Sequence, residues 1–366
     1  MNRDDLLALA QQVLTLPTAP YHEHHVKAFV EAFCRSLPSV RVEQDRVGNI
    51  IAKYQRPRTE ASTPLVFVAH MDHPGFEMLG GNRAEFLGGV PKEMFANGVG
   101  VRVYSSRGVE KAKLASFDSS AWPDRKLVTL KLKPGAIERI RPGDVGMWDV
   151  PAFRVSGDKL HATAIDDVLG TVVMLATLAE VARRKLQSHV WCAFTRAEEV
   201  GFPGVMEIIQ SKKIPKSAFV VSIEMSKERP WARIGNGPIV RIGDRSTVFD
   251  PTATAFLLRA AQRCRERESA FRAQRCLMDG GTCEATAFVG FGYRAGGLCL
   301  PLGNYHNIGK NLRPRAEYVS VKDLEQLVEL TAAAASERSD AGATNALLRR
   351  QVLSILRTAP RKLKKI

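Results

Sequence analysis

His70, Asp166, Glu199, Glu224 and His306 are of the residue types that bind divalent cations, and each stands at or just beyond the end of an apolar segment. Alone, each has a plainer role. His70 or His306 would serve as a hydrogen-bonded loop histidine, the pair Asp166-Asp167 as a helix cap better suited to Asp167, and Glu198-Glu199 as a solvated pair. Together they describe a metal site. His70 and Asp72 are one residue apart on an extended segment, so the carboxylate can hold the ring nitrogen turned away from a metal and fix its tautomer. A carboxylate such as Asp166 has two oxygens and can bridge two cations about 3.5–4 Å apart. Glu198 and Glu199 are adjacent and point different ways, so one can bind metal while the other takes a proton from an activated water and returns it to a leaving group. Glu224 follows the apolar run 219–223, where a buried carboxylate needs a partner such as a cation.

These residues require a scaffold that gathers strand ends along one edge. Apolar residues recur at helical spacing over Leu6 to Leu14 and over Val26 to Phe33, which predicts two opening helices separated by Pro17 and Pro20. Residues 40–42 and 49–53 read as short strands, and residues 65–69 form an apolar run suited to a strand buried on both faces. Residues 76–160 change texture to short apolar segments broken by glycine and proline turns, a small all-β module. Helix and strand then alternate: helices over 170–182, 204–211, 252–267 and 321–335, strands over 189–195, 218–223 and 295–300. That order predicts an α/β fold, a mostly parallel sheet with helices on both faces, interrupted by an inserted barrel-like β-domain. The expected divisions are 1–75 and 161–336 for the α/β layer, 76–160 for the insertion and 337–366 for a basic tail. Ligands bind at the carboxyl edge of such sheets, where the five residues fall.

With 366 residues, 45% hydrophobic and 25% charged, the chain has a globular composition. No apolar run reaches membrane-spanning length, and the acidic start Asp4-Asp5 is unlike a secretory signal, so a cytoplasmic location is expected. The six cysteines have neither zinc-knuckle nor redox spacing and read as buried free thiols. The net charge of +15 would fit a nucleic-acid partner, but residues 341–366 carry seven arginines and lysines and no acid. Nucleic-acid binding is therefore not expected of the body. Leu348, Val352, Ile355 and Leu356 predict a helix in that tail. The run Tyr21-His22-Glu23-His24-His25 looks like a metal cluster but reads better as a polar helix start.

The motifs Ala69-His70-Met71-Asp72 with Gly75-Phe76, Ala164-Ile165-Asp166-Asp167 with Gly170, Glu198-Glu199-Val200-Gly201, Gly280-Gly281-Thr282, Pro301-Leu302 with Tyr305-His306, and Asp45 with Gly48-Asn49 occur in this order. In that order and spacing the chain resembles the metalloaminopeptidases that include the tetrahedral and glutamyl aminopeptidases, relatives of the di-zinc exopeptidases, over residues 10–336. The resemblance implies that His70, Asp166 and Glu224 hold one metal and Asp166, Glu199 and His306 another. It makes Glu198 the general base, Asp72 the support of His70, and the Asp166-Asp167 peptide cis. The implied cofactors are two divalent ions, zinc foremost, with cobalt or manganese as alternatives. The implied partners are a peptide substrate and further copies of the chain, joined through the inserted β-domain. The chain departs from the family at Glu224, where aspartate is usual, at Val168 in place of arginine, at Cys283 after Gly280-Gly281-Thr282, and at His73-Pro74. Glutamate at position 224 is commoner among carboxypeptidase and deacylase relatives, so those activities stand beside removal of N-terminal residues, and a catalytically silent assembly scaffold is the alternative of another class.

Overall fold

The computed structural model describes residues 1–56 and 63–337 and a few positions between 346 and 354. Two helices, α1 (Arg3–Leu14) and α2 (His24–Ser36), precede strands β1 (Val40–Gln44), β2 (Ile50–Arg56) and β3 (Leu65–His70). Then follow β4 (Gly75–Gly80), β5 (Arg83–Leu87), β6 (Gly100–Ser105), β7 (Gly108–Phe117), β8 (Leu127–Lys131) and β9 (Val145–Trp148), and the short β10 (Phe153–Ser156) and β11 (Lys159–Ala162). The chain continues through α3 (Val168–Arg183), β12 (Ser188–Thr195), α4 (Pro203–Gln210), β13 (Phe219–Lys227), β14 (Ile239–Gly243) and α5 (Pro251–Arg267). It closes with β15 (Gln274–Leu277), α6 (Glu284–Gly290), β16 (Arg294–Leu302), β17 (Glu317–Ser320) and α7 (Val321–Ala335).

Eight strands form one mixed sheet in the order β1-β2-β12-β3-β13-β16-β14-β15. Its centre, β12-β3-β13-β16, is parallel, as the alternation of helix and strand predicts. The flanks β1-β2-β12 and β16-β14 are antiparallel. Strand β3 is buried along its whole length, and α3 is buried over most of its surface because it lies in the main core beneath β3. A helix apolar on every side is stable only in such a place. The expected all-β region folds as a closed barrel, β4-β5-β8-β7-β6-β9, around Phe76, Phe86, Phe95 and Trp148, whose rings meet mostly edge to face. Strands β10 and β11 pair with β17 rather than with the barrel.

Strand β13 runs to Lys227, so Glu224 lies inside the strand, opposite Cys299, and not just past its end. Strands β14 and β15 and the seven-residue helix α6 were not expected from the apolar pattern, being short. All six cysteines are free thiols, five of them buried. Among the described residues no helix is long and apolar enough to cross a membrane. Of the expected tail helix, Leu348, Ile355 and Leu356 lie outside the described residues.

Candidate metal centre

Because β12, β3, β13 and β16 run parallel and side by side, their carboxyl ends deliver side chains to one cleft. Strand β3 brings His70, in register with Thr195 at the end of β12. The turn after β12 brings Glu198 and Glu199, β13 brings Glu224, the loop after β16 brings His306, and the segment between β11 and α3 brings Asp166. These six expected residues meet here, and the seventh, Asp72, lies behind Glu198 and Glu199, bonded to their backbone N–H groups.

The bridging residue is Asp166. Its Oδ1 lies 3.9 Å from His70 Nε2 and its Oδ2 lies 3.6 Å from His306 Nε2. His70 Nε2 is also 3.8 Å from Glu198 Oε2, and His306 Nε2 is 3.1 Å from Glu199 Oε1. Donor atoms of His70, Asp166 and Glu224 lie within 4.8 Å of one another, and so do those of Asp166, Glu199 and His306 and those of His70, Glu198 and Glu199. The other ring nitrogens are occupied: His70 Nδ1 faces the Asp72 carbonyl oxygen at 3.1 Å and His306 Nδ1 faces the Gly89 carbonyl at 2.7 Å. A carbonyl oxygen accepts only, so Nδ1 carries a proton in both rings, which leaves each Nε2, the atom facing the carboxylates, as the one a cation would take.

The electrostatics are those of a crowded anionic pocket. Burial, together with Glu199 and Glu224, pushes the Asp166 carboxyl well above the usual range. Burial raises Glu198 likewise, against the pull of His70. Burial opposes charge on His306, yet Glu199 outweighs it and lifts the imidazole to about 9. Asp166 Oδ1 is buried without a hydrogen-bond partner, and Glu199 Oε1, also buried, has only the His306 ring edge at 3.1 Å. Buried carboxylate oxygens left bare are costly, and a cation satisfies them while reversing the local charge balance. The donor set of imidazole nitrogens and carboxylate oxygens therefore fits divalent transition-metal ions.

A surrounding network holds these groups in place. Asp72 bonds through its carboxylate to the backbone N–H of Glu198 (3.0 Å) and Glu199 (3.1 Å), and approaches His70 Nδ1 more distantly, at 3.4 Å. The expected carboxylate support of His70 is thus shared with the Asp72 carbonyl. Asp45 and Asn49 shape the neighbouring turn, where Asn49 Oδ1 accepts from Arg196 N and Asn49 Nδ2 donates to the Gly204 carbonyl. Asp167 sits at the N-cap of α3 but caps nothing. Its carboxylate lies against Gly170, where a Cβ would come within 2.3 Å of Oδ1. The Asp166-Asp167 peptide is cis.

Four supporting residues were not foreseen. Glu23, fully buried, receives Arg196 Nε at 2.7 Å and the Ala197 N–H at 2.9 Å, which braces the turn carrying Glu198. Glu317 accepts Ile165 N–H (2.8 Å) and Asp166 N–H (3.0 Å) on one oxygen and His306 N–H (2.7 Å) on the other. His306 has φ 54°, a conformation that persists only where neighbours enforce it. His73 bridges the Asp166 carbonyl and Asn307 Oδ1, and Asn307 Nδ2 donates to Thr163 O. His73 and Glu23 were visible only as a departure from the family and as part of a polar run.

A sequence model of the M42 glutamyl aminopeptidases matches residues 129–330, more than half of the chain. The chain belongs to this family. It is therefore a peptidase, and the M42 match spans Asp166, Glu198, Glu199, Glu224 and His306 while His70 and Asp72 lie before it. A protein of Acetivibrio thermocellus named as an aminopeptidase is 24% identical over 283 residues, covering 72% of this chain and 81% of that protein. Among solved structures, the TET1 peptidase of Pyrococcus horikoshii superposes with a TM-score of 0.72 at 20% identity, over 91% of this chain and 99% of that one. The TET aminopeptidase of Thaumarchaeota archaeon SCGC AB-539-E09 gives 0.76 at 18% identity, over 94% and 99%. At these identities the structural likeness establishes the M42 fold.

Proposed function

We propose that this member of the M42 family is a two-metal aminopeptidase that removes N-terminal residues from peptides. The observation that carries the reading is the division of Asp166, one carboxylate oxygen toward His70 and the other toward His306. In this reading His70, Asp166 and Glu224 hold one ion and Asp166, Glu199 and His306 the other. When bound, two divalent cations, zinc foremost and cobalt or manganese as alternatives, supply Lewis acidity that polarises a carbonyl and acidifies a water. Glu198 is not among these ligands and lines the same cleft. It accepts the proton from the attacking water and delivers it to the leaving amine. Asp72 positions Glu198 and Glu199 through their backbone N–H groups, and Glu317 does so for Asp166 and His306.

Asp45-Asn49 and Glu23 hold the turn at Arg196, so Glu198 meets its proton at a set position. Replacing Glu198 with Gln keeps the shape and removes the base. The variant should bind metal as the wild type does and lose turnover by at least two orders of magnitude. Turnover within a few-fold of wild type rejects Glu198 as the base.

The β-domain within 76–160, set between the catalytic segments 1–75 and 161–336 and followed by the tail 337–366, is the proposed assembly element of a homo-oligomer. The P. horikoshii TET1 peptidase assembles into a tetrahedron or an octahedral shell, which supports self-association here. Six free thiols support a reducing, cytoplasmic setting.

A further inference from the structure

Arg241 is a buried cation without a counter-ion. It is 2% exposed, its Nε has no hydrogen-bond partner, and among the described residues no carboxylate forms an ion pair with its guanidinium. The Phe249 ring lies 5.7 Å from the guanidinium carbon, a contact that offsets only part of a buried charge. The acidic groups whose charge reaches the arginine are Glu224 and Asp244, together with the thiols of Cys283 and Cys299. Burial keeps both thiols neutral: it holds Cys283 well above its ordinary value and pushes Cys299 up to about 12. Both carboxylates are engaged elsewhere. Asp244 accepts from Ser246 N and Thr247 N on one oxygen and from Cys283 N and Thr286 Oγ1 on the other. Glu224 is turned to His70 and Asp166.

The guanidinium lines a small cleft that Lys227, Met278 and Thr282 also wall. This cleft shares Glu224, Gly281, Thr282 and Tyr305 with the one that holds His70, Asp166, Glu198 and Glu199. The two differ in capacity: the free volume is about 240 Å³ at the metal centre and about 30 Å³ beside Arg241. The smaller space has room for about two water-sized species and none for a substrate side chain. Its charged walls are Arg241, Lys227 and Glu224, so once Glu224 is given to a cation the charge that remains is positive.

We propose that this side cavity binds one monatomic anion, chloride foremost, against the Arg241 guanidinium, with Lys227 and the Thr282 hydroxyl flanking it. A guanidinium only donates hydrogen bonds, and a buried charge left unpaired is destabilising. A halide answers both demands within the space available, whereas a phosphate or a carboxylate with its stem does not fit. The anion also bears on the metal centre. Arg241 and the cation held by Glu224 face the same carboxylate, so neutralising the arginine removes a repulsion between like charges.

The test uses the full-length chain and bromide, which takes the place of chloride and scatters anomalously. Wild-type crystals grown in sodium bromide are expected to show a bromine peak beside the Arg241 guanidinium, and crystals of Arg241→Met none there. In solution, replacing the larger methanesulfonate by chloride at constant ionic strength should raise the wild-type melting temperature by about 2 °C or more, because a ligand of the folded state stabilises by mass action. Arg241→Met should not respond. Absence of the bromine peak from the wild type overturns the proposal, whether or not the variant folds. A wild type whose melting ignores chloride reduces the peak to an adventitious ion only and overturns it too, as does an equal response from folded Arg241→Met. None of these measurements involves turnover, so their failure leaves the aminopeptidase reading untouched.

Discussion

Asp72 Oδ1 accepts the backbone N–H of Glu198 at 3.0 Å, across 126 residues of chain. With Oδ2 on the next N–H, the carboxylate holds the turn that presents both glutamates to the cleft. Asp72→Asn replaces one acceptor by an NH₂ group that must face an N–H. We expect activity to fall about 10–100-fold, the usual cost of losing a group that orients metal ligands, with the far-ultraviolet circular dichroism unchanged. An Asn variant as active as wild type would show that the turn holds itself.

Glu317 binds the backbones of Asp166 and His306 at once, so removing it loosens both halves of the candidate centre. Glu317→Ala should weaken zinc binding by about 10–100-fold, measured by competition with a chromogenic chelator. Equal zinc affinity in a folded variant would count against this role.

The Glu23–Arg196 pair is buried on the Glu23 side, at 2.7 Å. Arg196→Met strands that carboxylate and should cost about 3–5 kcal/mol, the range for breaking a buried pair. Arg35→Met removes an exposed partner of Glu31 and should cost ~0–1 kcal/mol. Thermal unfolding of the two variants compares them directly. The pH dependence has a definite sign. Burial, with Asp72, raises the Glu23 pKa above its ordinary 4.5, and Arg196 opposes the rise. A carboxyl with a raised folded pKa stabilises most below its unfolded value and loses that contribution as pH rises through the folded value. Without Arg196 the loss is larger, so the gap between Arg196→Met and wild type should widen as pH is raised above 4.5. A gap independent of pH would contradict it.

The candidate metal ligands His70, Glu199 and His306 were legible in the sequence because each follows an apolar strand of the parallel sheet, and such strand ends share one edge; Glu224 stands inside its strand and Asp166 on the segment before α3. His70 and Glu199 illustrate this: the register of β3 and β12 places His70 beside Thr195. The supporting groups were not legible, since Glu23 and Arg196 are 173 residues apart and nothing local marks their meeting. The strand Ile239–Gly243 was missed for another reason: it is short, antiparallel to β16 and interrupted by the charged Arg241. The seven residues of α6 span too few turns to show a helical period.

Chelation should abolish activity, and divalent cations should restore it. Ligands that bind only the folded state stabilise by mass action, about 4 kcal/mol at a thousand times Kd, so the metal-free chain should melt at a lower temperature. Identical melting with and without metal would remove the cations from the structural account.

The most direct measurement is anomalous scattering at the zinc edge from crystals of the zinc-loaded chain. The account predicts two peaks per chain, about 3.5–4 Å apart, with Asp166 between them, one beside His70 and Glu224 and the other beside His306 and Glu199. No peak at these residues, or a single peak that leaves Asp166 free, would contradict it.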